Sequence, residues 1–327
     1  MKIIITAPFA KQQVDALRTQ HQVVFLPQDD STPLRSEAQL HALLEEEATE
    51  IFITESDRVT AQVLEGLPQL KLLCVCRSGL NDIDLQACTA HGVAVVNAPG
   101  RNASAVADMV VALFIDMSRY LFEGEKLLRS GQWDNGLYYR LRGHELFGNT
   151  AAFIGFGAIP RELAKRLGGF GMNMIAYDPY VDAETMREHG VEKVSLEEAF
   201  SRGDYVTLHL PVNDQTRHMV GRNLLSLMKP TAYFVNAARS AIVVEEDILE
   251  VLENHRIAGA AFDVYEEEPL GMDSRFMKLD HTILIPHLGG ASLDVVDNHS
   301  RMITADLERF LAGQKPLHLV NPAVLER

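Results

Sequence analysis

The chain is poor in the features that mark several large protein classes. Its 327 residues include three cysteines, Cys74, Cys76 and Cys88. Secreted scaffolds stapled by disulfides carry more, usually in even number, so this odd count points to free thiols in a reducing cytoplasm. Cys74 and Cys76 alternate within "LKLLCVCRSG", which puts both side chains on one face of a strand. No second ligand pair follows at metal-binding spacing, so they read as small buried apolar residues and no metal is expected. Long apolar runs are missing too. The most apolar stretch, 103–117, holds Asp108 and Asp116 and is too short to span a bilayer. The opening "MKIIITAPFAKQ" lacks the extended apolar stretch and small-residue cleavage site of a signal peptide and reads as a first strand. Positive charge is also in deficit: 30 Lys and Arg against 45 Asp and Glu leave a formal net charge of -15. Such a surface does not replace the counterions of a nucleic acid. Neither nucleic acid nor an anionic membrane is therefore an expected partner.

What is present is an alternation. Over the first hundred residues the short apolar runs "KIIIT", "QVVFL", "EIFIT", "KLLCVC" and "VAVVN" are separated by amphipathic stretches such as 38–47. Strands alternating with helices argue an α/β fold with a parallel sheet covered on both faces. One long helix is predicted from about Ala103 to Ser130. Val106, Met109, Val110, Leu113, Phe114 and Met117 make its start apolar almost all round, which suits burial between domains or subunits as well as within one core. The alternation then restarts with "AAFIGF", "NMIAYD", "YVTLHL", "AYFVNA", "IAGAAFD" and "TILIP", a second α/β domain, and a last helix is expected over 292–313.

The second series opens on "AAFIGFGAIPRELAKRL". A strand, a glycine turn and a helix N-terminus present free N–H groups and a positive dipole end to a pyrophosphate. Gly155 permits the turn and Gly157 lets the backbone approach the phosphates. Pro160 stands where the third glycine of G-x-G-x-x-G belongs. That glycine serves helix–strand packing, and proline is tolerated in a first helical turn, whose N–H groups have no intrahelical partner. The site therefore reads as intact, with the N–H groups of Ala158 and Ile159 facing the phosphates. Asp178, in "IAYDP", lies 23 residues after Gly155, where an acid receives ribose hydroxyls and repels the extra phosphate of NADP. The expected cofactor is NAD.

Three segments stand near predicted strand ends, where ligands bind in doubly wound sheets: "FVNAARSAIV", "AAFDVYEEEP" and "LIPHLGGAS". They supply Arg239, Glu268 and His287. Reducing a 2-oxo acid needs a cation to hold the carboxylate and polarise the carbonyl, and an acid to protonate the new alkoxide. Arginine supplies the fork, and histidine exchanges a proton near neutral pH, its charged form favoured by a nearby carboxylate. Taken singly, Arg239 could cap a strand end, Glu268 belong to a solvated acidic run and His287 be a hydrogen-bonded loop residue.

In order and spacing, "VNAPGRNASAVAD", "ELFGNTAAFIGFGAI", "GDYVTLHLPVNDQTRHMVG", "VNAARS", "DVYEEEP" and "PHLGG" resemble successive blocks of the D-isomer-specific 2-hydroxyacid dehydrogenases, in particular their phosphoglycerate dehydrogenase branch. The likeness runs over essentially the whole chain. It implies two Rossmann-like doubly wound parallel-sheet domains with the active site in the cleft between them: a flavodoxin-like substrate domain over 1–99 plus 292–327 and an NAD-binding domain over 100–291. It implies that Arg239 binds the substrate's carboxylate and carbonyl, that His287 is the acid/base, and that Glu268 orients it. Gly155, Phe156, Gly157, Ala158, Ile159, Asp178, Pro179, His209, Pro211, Thr216, Ala237, Ala238, Asp263, Gly289 and Gly290, with Arg239 and His287, would line the cofactor, Asp263 on the nicotinamide side. Ser78 and Gly79 in "CRSGLNDID" would meet the substrate carboxylate, with Arg77 beside them either as a substrate contact or as a strand-end ion pair. A homodimer is implied, with Tyr138, Tyr139, Arg140 and Arg142 at the partner's cleft or on a plain surface loop.

The chain departs from the family pattern at Pro160, at Asp108 where glutamate is commoner, in the shorter "RSGLND", and in "RSA" for the usual "RGG". None touches Arg239, Glu268 or His287. The substrate stays open among phosphoglycerate, glycerate/hydroxypyruvate and glyoxylate types, and "TAPFAKQ" is another candidate wall. A formate- or phosphite-type dehydrogenase and an NAD-sensing corepressor share the fold and remain alternatives.

Overall fold

The first sheet is made of β1 (Lys2–Ile5), β2 (Gln22–Phe25), β3 (Ile51–Thr54), β4 (Leu72–Val75) and β5 (Ala94–Asn97), all parallel, in the order β2-β1-β3-β4-β5. This is the flavodoxin-like order. The computed structural model describes residues 1–28 and 33–326. Both faces of the sheet are covered, which is why its strands read as unbroken apolar runs. Ile3, Ile5, Ile53 and Cys74 point into one cluster with Ile303 and Leu307 of the helix Asp294–Leu311. Ile4, Phe52 and Leu73 point into the opposite one with Leu40 and Leu44. All three cysteines are free and buried, and burial pushes their thiols above the ordinary value.

The second sheet holds β6 (Thr150–Ile154), β7 (Asn173–Tyr177), β8 (Glu192–Lys193), β9 (Tyr205–Leu208), β10 (Tyr233–Asn236), β11 (Gly259–Phe262) and β12 (Thr282–Leu284). Its order is β12-β11-β10-β9-β6-β7-β8, again parallel throughout. Counted from β6, that is the Rossmann order with one strand added, and the direction of winding reverses between β6 and β9. The chain separates into one unit of Met1–Arg101 with Ser292–Arg327 and a second of Asn102–Ala291.

One expectation needs correction. The long helix predicted to Ser130 is two helices, Ala103–Arg119 and Leu121–Arg129. Tyr120 between them adopts the left-handed conformation (φ 54°), and the buried Asp116 carboxylate accepts the Phe122 N–H at 2.7 Å. That side chain satisfies a free donor at the start of the second helix, as a capping residue does. The edge strand β8 was not foreseen: it is two exposed charged residues with no apolar alternation. No helix among the described residues is long and apolar enough to cross a membrane.

Candidate active site

The glycine turn lies at the winding reversal of the second sheet. Gly155 follows β6 with φ 97°, and a Cβ there would stand 2.6 Å from the His209 carbonyl oxygen after β9. Glycine is thus required twice over, by conformation and by the approach of the two loops. Gly157 differs: its φ is ordinary and a Cβ would meet no atom of the described residues within 4 Å. Packing does not demand glycine there, but a ligand lying against the backbone would. Gly157 caps the helix Ala158–Gly169, so Ala158, Ile159 and Pro160 form its first turn, with Pro160 buried. The proline removes no helix bond, because first-turn N–H groups have no intrahelical acceptor. Pro160→Gly should therefore change NADH affinity by less than about tenfold, ~1.4 kcal/mol. A larger change by fluorescence titration would show that the proline shapes the cradle.

The Asp178 carboxylate, at the end of β7, is buried and ties this region together. It accepts the Phe156 N–H at 2.8 Å, the Tyr180 N–H at 2.8 Å and the Val181 N–H at 3.2 Å. A carboxylate offers about four lone-pair positions, so one remains for a further donor. Burial pushes the His209 imidazole down to about 3, which keeps it neutral, and its Nδ1 is buried without a hydrogen-bond partner among the described residues. Thr216 accepts the Asn213 N–H at 2.9 Å and donates to the Pro211 carbonyl at 2.6 Å, which closes the exposed loop that follows. Pro179 is exposed beside Asp178. A turn with room at Gly157, first-turn N–H groups that have no intrahelical acceptor and a carboxylate with spare capacity fit a dinucleotide.

The catalytic candidates come from the ends of β10, β11 and β12. His287 Nδ1 lies 2.7 Å from Glu268 Oε2. Burial opposes ionisation of Glu268, but hydrogen bonds from His287 and the Tyr265 N–H, with the His287 and Arg239 charges, outweigh it and hold the carboxyl below its ordinary value. An ionised carboxylate only accepts, so Nδ1 is the donor and Nε2 is the nitrogen left to exchange a proton. Arg239 is exposed, and its Nη1 donates to the Ala238 carbonyl at 2.6 Å. Ala237 and Ala238 are buried just before it.

Other residues hold this pair in place, and sequence reasoning gave two of them no role. Asn236, buried at the end of β10, donates to the Arg239 carbonyl at 3.0 Å and accepts the Ala238 N–H at 3.1 Å. Tyr265 donates its N–H to Glu268 Oε1 at 3.0 Å, while its hydroxyl lies 3.0 and 3.1 Å from the carbonyls of Phe262 and Ile285. Both stand inside the quoted blocks "VNAARS" and "DVYEEEP", which was the available signal. Asp263 is buried, and its two oxygens accept the N–H groups of Leu288 and Gly289 at 2.6 and 2.8 Å. Burial pushes its carboxyl above the ordinary value, partly offset by those bonds. It thereby fixes the loop just after His287. A Cβ on Gly289 would come 2.8 Å from that carboxylate, and one on Gly290 would come 3.2 Å from Asn102 Nδ2.

Arg77, Ser78 and Gly79 lie in the first unit, exposed after β4. The Asn97 side chain donates to the Ser78 carbonyl at 2.8 Å, and a Cβ on Gly79 would meet open space. Arg77 lies 3.6 Å from Glu55 and donates to Ser56 at 3.0 Å. Glu55 also pairs with Arg101 at 2.6 Å, so two guanidinium groups share one carboxylate.

Residues 111–289 match the family model described as the D-isomer specific 2-hydroxyacid dehydrogenase, NAD binding domain. The chain is 33% identical to a glyoxylate reductase of Thermococcus litoralis, over 99% of this chain and 98% of that one. The chain belongs to the D-isomer specific 2-hydroxyacid dehydrogenases. It is also 33% identical to a D-3-phosphoglycerate dehydrogenase of Methanocaldococcus jannaschii, over 98% of its own length but 59% of that relative. Among solved structures, D-mandelate dehydrogenase of Rhodotorula graminis superposes with a TM-score of 0.83 at 25% identity, covering 98% of this chain and 96% of that one. This dehydrogenase therefore has two parallel-sheet domains, uses NAD, and carries its His287–Glu268 pair inside the matched NAD-binding region.

Proposed function

We propose that this dehydrogenase reduces a small 2-oxo acid of the glyoxylate or hydroxypyruvate kind to the D-2-hydroxy acid, with His287 as proton donor. The observation that carries this reading is the 2.7 Å His287–Glu268 pair beside Arg239. The glyoxylate reductase relative, matched almost end to end, supports the substrate class over phosphoglycerate. Bound NADH supplies a hydride to the carbonyl carbon. Arg239 holds the substrate carboxylate and draws charge toward the carbonyl oxygen. The His287 Nε2–H passes its proton to that oxygen, and Glu268, accepting from Nδ1, fixes the ring and stabilises its charged form. Ser78 and Gly79 would offer backbone N–H groups to the substrate carboxylate, and Arg77 a cation beside them. Asp178 would accept an adenosine ribose hydroxyl with its spare lone pair, and Asp263 would support the nicotinamide side by holding the His287 loop. NADH oxidation against glyoxylate, hydroxypyruvate and phosphohydroxypyruvate tests the proposal; turnover with the phosphorylated acid alone would overturn the substrate class.

Glu268→Gln keeps the shape and removes the carboxylate that accepts from His287 Nδ1. The Glu268 carboxyl is held below its ordinary value, so the parent enzyme should lose rate only as that carboxylate takes up a proton at acid pH, and the variant's loss should be small there and larger above it. An equal loss at every pH in the kcat/KM profile would leave Glu268 an orienting group only.

The protein is proposed to be a homodimer in the cytoplasm, the latter supported by its free cysteines. The helix Leu121–Arg129 has no buried residue, and Leu121, Phe122, Leu128, Trp133, Tyr138 and Tyr139 are exposed. Exposed apolar side chains concentrated in one segment, 121–139, are the feature that supports an interaction surface there. Within that segment Arg140 forks onto Asp134, and Arg142 lies over the Tyr139 ring. Light scattering should give twice the chain mass, and Trp133→Glu with Phe122→Glu should shift it toward monomer. A monomeric parent protein at micromolar concentration would contradict this.

A further inference from the structure

At the opposite end of the second sheet from His287, an unrelated cluster gathers. His281 immediately precedes β12, whereas His287 follows its far end, and six extended residues reach up to about 20 Å. Parallel pairing of β11 with β12 brings the start of β11 beside His281; a Cβ on Gly259 would stand 2.5 Å from the His281 carbonyl oxygen. The His281 position is thus set by a close backbone approach that only glycine allows.

Asp280 Oδ1 lies 2.9 Å from His281 Nδ1, and the His255 ring lies against the His281 ring with centroids 4.6 Å apart and planes tilted by 32°. His255 ends the turn that follows the helix Glu245–Glu253 and has φ 48°. That left-handed position most often carries glycine or asparagine. His281 Nδ1 and Asp280 Oδ1 face each other, so these are the atoms the two residues can turn on one ion, which would take the place of the proton they share. One donor atom from each of His255, Asp280 and His281 lies within 4.8 Å of the others.

We propose that His255, Asp280 and His281 form a binding site for a divalent ion of the zinc class, separate from the catalytic pair. Two imidazoles and a carboxylate suit zinc and its late-transition neighbours; calcium and magnesium take oxygen ligands throughout. Ligands of one tetrahedral zinc ion stand about 3.3 Å apart at bond lengths of about 2.0–2.1 Å, so a small inward rotation of the exposed His255 and Asp280 side chains closes the shell, with water at the fourth position. The ion would clip the turn after the Glu245–Glu253 helix to the start of β12. It would strengthen the far edge of the sheet without entering the reaction.

The test uses tag-free, metal-stripped full-length protein, zinc chloride in calorimetry, and cobalt(II) as a spectroscopic stand-in. The expected result is one zinc ion per chain, micromolar or tighter, with a rise in Tm and a visible cobalt absorption of low-symmetry, four-coordinate type. His281→Ala should weaken binding at least about tenfold. So should His255→Asn, which keeps a residue suited to the left-handed turn and so preserves the fold. NADH oxidation by both variants should match the parent. Absence of saturable zinc binding, or binding that both variants leave unchanged, would overturn the site and leave only two histidine rings in contact.

Discussion

Replacing His287 with alanine should lower the rate of 2-oxo acid reduction about 10²–10⁴-fold, the usual contribution of a general acid, while NADH still binds. The structure separates these effects. The proposed cofactor contacts centre on Gly155, Gly157 and Asp178 at the β6–β7 end of the sheet, whereas His287 follows β12 at its other edge. The loop carrying His287 is anchored through Asp263 to the N–H groups of Leu288 and Gly289, not through the imidazole itself. Alanine should therefore leave the loop in place and remove only the proton donor. Stopped-flow NADH oxidation with a separate fluorescence titration distinguishes the two. Near-full activity in this variant would refute the proton-transfer role and favour a formate-type reaction, in which hydride leaves without a proton relay.

Arg239→Ala should cost turnover about 10²–10³-fold, in line with loss of one preorganised electrostatic donor, and should raise KM as well. The same guanidinium is proposed to bind the substrate carboxylate and to stabilise charge on the carbonyl oxygen, so ground state and transition state both lose a partner. Its charge also helps hold Glu268 ionised. Arg239→Lys should recover part of the turnover and little of the affinity, because a point charge replaces a two-pronged fork. Steady-state kinetics giving an unchanged KM with reduced kcat would remove Arg239 from substrate binding.

The sheets were legible in the sequence because their strands are buried on both faces. Runs such as "KIIIT" and "EIFIT" stand out, and the restart of the pattern at "AAFIGF" marks the second domain. The two charged residues of β8 carry no such signal, since an exposed edge pair is specified by its neighbours rather than by its own side chains. The break at Tyr120 was illegible for a related reason. A tyrosine in the left-handed region has no sequence mark, and its cause is the Asp116 carboxylate turning back onto the Phe122 N–H. At the site, residue type and spacing pointed to Arg239, Glu268 and His287 because the chemistry requires those groups. The supports were hidden: the partners of Tyr265 and Asn236 are mostly main-chain groups, which look alike at every position. Asp178 was visible as an acid after a strand, but its three backbone bonds depend on how the turn folds.

The central claim is that this chain delivers a hydride and a proton to a 2-oxo acid with D stereochemistry. Hydroxypyruvate incubated with NADH and the purified protein, followed by chiral separation of the glycerate formed, tests it most directly. The account predicts D-glycerate in amounts equal to the NADH consumed. L-glycerate, a racemate, or no NADH consumption with hydroxypyruvate or glyoxylate would contradict it.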